Sequence, residues 1–110
     1  MYLRFVFAEA EPTTRRRVGI WKSVPWDLKN DVLSGLPYPP RRAFSGGRGI
    51  CWFKLTAHKF IEEMRDLSLR LESSGRRIWQ VYSRNPGLIT YEDDYQIVAV
   101  PESARISVRR

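Results

Sequence analysis

The sequence is poor in the residues from which metal centres and covalent frameworks are made. Its 110 residues include one cysteine, Cys51, and one histidine, His58. A single cysteine forms no internal disulfide, so a disulfide scaffold is excluded and a reducing compartment is the natural expectation. One Cys and one His do not fill a structural zinc site. No metal, cofactor or catalytic residue is assigned from the sequence. Apolar runs are also short. None approaches the about 18 residues that a membrane-crossing helix requires, so no membrane partner is expected. The apolar opening Tyr2 to Phe7 and the Ala8-Glu9-Ala10 that follows imitate a secretory signal. Arg4 interrupts that run, which is shorter than a signal core of about 7–15 residues. It reads as a strand, and the chain as cytoplasmic. Acidic residues are scarce too: 12 Asp and Glu stand against 19 Lys and Arg, for a net charge of +7.

What is present describes a folded, basic domain. Apolar residues make up 43% of the chain and aromatics 13%, enough apolar surface to offset the entropy of ordering and to exclude a disordered chain. The length suits one domain, placed at 1–101, with a basic tail at 102–110. Charge is uneven. Residues 1–50 carry nine Lys and Arg against four Asp and Glu, a balance of +5, and the rest carry ten against eight. Arginine is clustered at Arg15-Arg16-Arg17, Arg41-Arg42 and Arg48, then at Arg76-Arg77 and Arg109-Arg110. Guanidinium groups pair bidentately with phosphate and carboxylate, so clusters of them point to anionic partners.

Periodicity gives the elements. Leu3, Phe5 and Phe7 alternate with Tyr2, Arg4 and Val6, the two-residue period of a strand with one face in the core. Thr13 or Thr14 is placed to cap a short helix carrying the Arg triplet, and Ser23 with Pro25 opens another that runs to Gly35. Segment 36–49 holds three prolines and three glycines and reads as a loop without a regular element. Ile50 to Lys54 is a short apolar strand. Behind Thr56, residues Phe60, Ile61, Met64, Leu67, Ser68 and Leu71 fall on one stripe of a helix that ends before Gly75. Arg76 to Ser83, Leu88 to Tyr91 and Tyr95 to Val100 read as a three-stranded meander, turned at Asn85-Pro86-Gly87 and Glu92-Asp93-Asp94. The expected class is α+β: a mainly antiparallel sheet of four to five strands with one long helix and one or two short helices packed on it.

Two stretches carry a resemblance. Ile50-Cys51-Trp52-Phe53-Lys54 leads into Ala57, Ile61, Met64, Leu67, Leu71 and Gly75. Pro86-Gly87-Leu88-Ile89-Thr90-Tyr91-Glu92-Asp93 leads into Tyr95-Gln96-Ile97-Val98-Ala99-Val100-Pro101. Over residues 50–101 the chain resembles a family of small bacterial proteins with no established activity. The resemblance implies a compact bacterial domain and transfers no functional residue.

Each group that suggests chemistry has a plainer reading beside it. Cys51 and His58 would make a nucleophile and base only within hydrogen-bond reach, whereas a cysteine inside an apolar run is usually a small core residue. Glu92, Asp93 and Asp94 would hold a hard cation or act as acid and base, but adjacent carboxylates commonly mark a solvated hairpin turn. Gly46-Gly47-Arg48-Gly49 precedes a strand rather than a helix, the reverse of a phosphate-binding loop, and is closer to the Arg/Gly segments that contact RNA. Trp21, Trp52 and Trp79 are expected in the core, with Trp26 and Tyr38 exposed. The leading expectation is therefore a non-enzymatic module for an anionic partner, most simply nucleic acid. Its surface would comprise Arg15, Arg16, Arg17, Arg41, Arg42 and Arg48, with Tyr38 or Trp26 for stacking. The alternative is a protein-interaction or assembly protein, an acidic protein or a second copy of the chain being the partner.

Overall fold

The computed structural model describes residues 1–10, 17–20 and 32–101. Strands β1 (Tyr2–Ala10), β2 (Arg17–Gly19), β3 (Ile50–Lys54), β4 (Ile78–Ser83), β5 (Leu88–Glu92) and β6 (Gln96–Val100) accompany a 15-residue helix, α1 (His58–Glu72), and a 3-10 helix (Arg41–Gly47). The class is α+β, and the sheet pairs its strands antiparallel in the hydrogen-bonded order β2-β1-β3-β6-β5, with β4 also joined to β1. Among the described residues, no helix is long and apolar enough to cross a membrane.

The described residues divide into two compact units, the first made of 1–3, 37–57 and 82–101 and the second of 4–10, 17–20, 32–36 and 58–81. In the second unit, Phe5, Val6 and Phe7 of β1 are buried, and so is Ile20. The α1 stripe buries Phe60, Ile61, Met64, Leu67 and Ser68, as its spacing requires, while Leu71 is only half-buried. The one polar member of that stripe is satisfied within the helix, since the Ser68 hydroxyl donates to the Met64 carbonyl at 2.8 Å. The helix stops in a Schellman arrangement. Gly75, at φ 98°, donates to the Glu72 carbonyl at 2.9 Å and Arg76 donates to Leu71 at 3.4 Å. Arg65 donates to the Gln80 side chain at 3.3 Å, and the Arg76 guanidinium lies 3.9 Å from the centre of the Phe7 ring.

Several expectations are corrected here. The Arg triplet does not lie in one helix, because Arg17 to Gly19 forms β2, with Gly19 opposite Val6 and Arg17 opposite Ala10. The remainder of that segment, and residues 23–31 of the second expected short helix, lie outside the described residues, while 32–35 form a bend and a turn. The three-strand meander does not form either. In register, β3 faces only Tyr2 and Leu3 of β1. The rest of that long strand needs another neighbour for its backbone groups, and β4 supplies it, beginning with the Ala8 N–H donating to Arg77 at 2.9 Å. Trp79 on β4, expected in the core, is 41% exposed.

In the first unit β6 is central, between β3 and β5, and Ile97, Val98 and Ala99 are wholly inaccessible to solvent. Its unbroken apolar run is what a strand covered on both faces requires. One residue opposes none across the β5–β6 ladder, where Ile89 faces Ala99 and Tyr91 faces Val98, so Thr90 forms a bulge. Gly87 enters β5 at φ 124°, and a Cβ there would fall inside the Val100 carbonyl group. Glycine is thus demanded both by conformation and by space.

Candidate anion-binding surface

The expected loop at 36–49 contains a regular element after all, the 3-10 helix, which lies against β5 and β6. Short i to i+3 turns tolerate this composition where longer helices do not. Pro40, at φ −62° and ψ 149°, stands at its start, and the chain leaves helical geometry at Ser45 and Gly46, both with positive φ.

Four inward contacts fix this segment. Gln96, 4% exposed in the apolar strand β6, donates from Nε2 to the Pro37 carbonyl at 2.5 Å. Pro39 is buried. Ala43, also buried, donates its N–H to the Pro40 carbonyl at 3.0 Å and accepts at its own carbonyl from the Thr90 hydroxyl at 2.5 Å. Gly49 donates to the Phe44 carbonyl at 2.7 Å, and a Cβ on it would lie 2.7 Å from the Phe44 Cα and 2.8 Å from a Val98 methyl. What remains points outward. Tyr38 is 88% exposed, and Arg41, Arg42 and Arg48 are all exposed.

Arg41, Arg42 and Arg48, like the exposed Arg70, Arg77 and Arg84, differ from those cations whose side chains have a partner among the described residues. Lys54 is paired with Glu92 at 2.6 Å, and that hydrogen-bonded carboxylate raises the Lys54 pKa above its ordinary value. Arg65 and Arg76 have the contacts described above. Arg41, Arg42 and Arg48 make no ion pair among the described residues. Arg15, Arg16 and Trp26 lie outside the described residues; Arg17 has a described backbone in β2. Only Tyr38, Arg41, Arg42 and Arg48 of the expected set are therefore brought into one segment.

Two of the three carboxylates of 92–94 have structural employment. Glu92 holds Lys54. Asp93 accepts from the Tyr95 N–H at 2.8 Å, the Gln96 N–H at 3.0 Å, the Gln96 side chain at 3.1 Å and the Tyr91 hydroxyl at 2.7 Å. Partial burial pushes the Asp93 pKa up, but those hydrogen bonds more than reverse the effect and leave it below the usual carboxylate value. The same contact, with burial, raises Tyr91 above its ordinary pKa. This is the turn reading of the acidic cluster, with Lys54 as the cationic partner of Glu92. Among the described residues no group of three or more Cys, His, Asp or Glu is placed to hold a metal.

Cys51 is exposed, contrary to the core position expected of it. Within the strand Trp52 is buried, and its neighbour Cys51 projects from the opposite face. His58, also exposed, opens α1.

Sequence reasoning missed Gln96 and Thr90, which hold this surface; Asp93 was read as a turn residue, without its four hydrogen bonds. Gln96 had a usable signal, as the one polar residue at the head of an apolar strand. Comparison with known protein families, with curated proteins and with solved structures finds no match.

Proposed function

We propose that the chain is a binding module for an anionic partner, most simply nucleic acid. One observation carries the reading. Arg41, Arg42 and Arg48 are exposed and unpaired among the described residues, on a segment whose backbone is tied down by Gln96, Thr90 and Gly49. Exposed guanidinium groups without internal carboxylates are available to phosphate, and a fixed backbone lowers the ordering cost of using them. The net charge of +7 favours association with the same class of partner. Arg15, Arg16, Arg17 and Trp26 are proposed from the sequence as further contacts for an anionic partner. Fluorescence anisotropy with labelled oligonucleotides at low salt tests the reading. Binding tighter than about 10⁻⁴ M is expected, and weaker binding than that ordinary non-specific level would reject nucleic acid as the partner.

A second reading rests on a different observation. Strand β5 ends the hydrogen-bonded order, and it exposes Leu88 at 61% and Ile89 at 41%. An apolar edge strand is a template for pairing with another chain. This favours a protein-interaction or homo-oligomeric role, which sedimentation over a range of concentrations tests.

A further inference from the structure

We infer that the nucleic acid bound at the 37–48 segment is single-stranded, with Tyr38 as the platform for an unpaired base. The inference rests on the anionic-partner reading and narrows it.

The Tyr38 side chain is held outward by its neighbours. Pro37 is anchored through its carbonyl to the buried Gln96 side chain, and Pro39 is itself buried. A residue before proline is confined to extended backbone, and Tyr38 stands before Pro39. The backbone on both sides is thus settled before any ligand arrives. An aromatic ring has few torsions of its own to lose on binding, so a ring at 88% exposure on a fixed backbone is a ready stacking surface. Nothing in the fold requires it there, since its apolar area is left in water.

Arg41 and Arg42 follow three and four residues later. Even a fully extended chain separates Tyr38 from Arg42 by no more than about 14 Å, so one short stretch of strand can meet both ring and guanidinium groups. This combination discriminates between forms of nucleic acid. In a duplex each base face is covered by its neighbours, and an exposed surface ring reaches none without unstacking a pair. In a single strand the faces are free, while the phosphates are equally available to arginine in both forms.

The test compares a labelled single strand of about 16 nucleotides with a blunt duplex of the same sequence, by anisotropy at fixed salt, normalised per phosphate. Wild-type protein should prefer the single strand by about 5- to 150-fold, the range for one stacked base. Tyr38→Ala should abolish most of that preference by weakening the single strand far more than the duplex. Tyr38→Phe should keep it, and the melting temperature of both variants should match wild type because the ring is exposed. Replacing Arg41, Arg42 and Arg48 by Ala should weaken both ligands together. Equal, salt-sensitive affinity for both forms would overturn the single-strand inference and leave the anionic-partner reading standing. An undiminished preference in Tyr38→Ala would overturn the role of Tyr38. Binding to neither form would remove both.

Discussion

Asp93 offers the sharpest test of the energetics, because one carboxylate collects four hydrogen bonds in the hairpin between β5 and β6. Its partners are the Tyr95 and Gln96 N–H groups, the Gln96 side chain and the Tyr91 hydroxyl, all within 3.1 Å. A hydrogen bond to a charged group contributes about 1.5–3 kcal/mol, but bonds to one acceptor overlap and this one is partly solvated, so Asp93→Ala should cost about 2–4 kcal/mol in total. Asp93→Asn keeps an oxygen for the backbone N–H groups and turns an NH₂ toward other donors, so about 1–2 kcal/mol should be lost. The pH dependence separates charge from shape. The folded-state pKa lies below the ordinary 3.8, so the stabilisation is fully present above that value and is lost as pH falls through the folded pKa. Asn does not titrate. The stability gap between wild type and Asp93→Asn, measured by urea unfolding, should therefore be widest near neutral pH and narrow toward about pH 2. A gap that stays constant over that range, or an Ala variant losing less than about 0.5 kcal/mol, would refute the reasoning.

Two further predictions concern the core and the thiol. Leu67→Ala removes a 3% exposed side chain from the α1 stripe and should cost about 2–5 kcal/mol through lost transfer energy and a residual cavity; a loss at the scale of surface changes in chemical denaturation would reject its burial. Cys51 should react with a thiol reagent in the native protein at a rate close to that in denaturant, because it is exposed. Labelling that waits for unfolding would contradict its outward placement.

The parts of the fold that were legible in sequence are those fixed by short-range patterns. Helix α1 follows from one apolar stripe, and its end from Gly75. Leu3, Phe5 and Phe7 are buried as their alternation requires, although Val6 between them is buried as well. Strand partnership was not legible. Consecutive strands usually pair, yet β4 joins β1, because β1 outlasts its register with β3. Cys51 was misjudged because four apolar residues in a row, Ile50 to Phe53, conceal which face of the strand each side chain takes. For the surface, proline and glycine correctly marked where Tyr38 and the arginines emerge. The contacts that hold them could not be read locally: Gln96 lies 59 residues from Pro37, and Thr90 lies 47 from Ala43.

The central claim is that exposed arginine on the 41–48 segment meets phosphate, and the salt dependence of binding tests it most directly. Contact with four to six phosphates predicts a slope of about −3 to −5 in log affinity against log salt. Replacing Arg41, Arg42 and Arg48 together by Ala should flatten that slope by about 2, as roughly three phosphate contacts of about 0.7 each are lost. Affinity that does not change with salt, or a triple variant with the wild-type slope, would contradict the account.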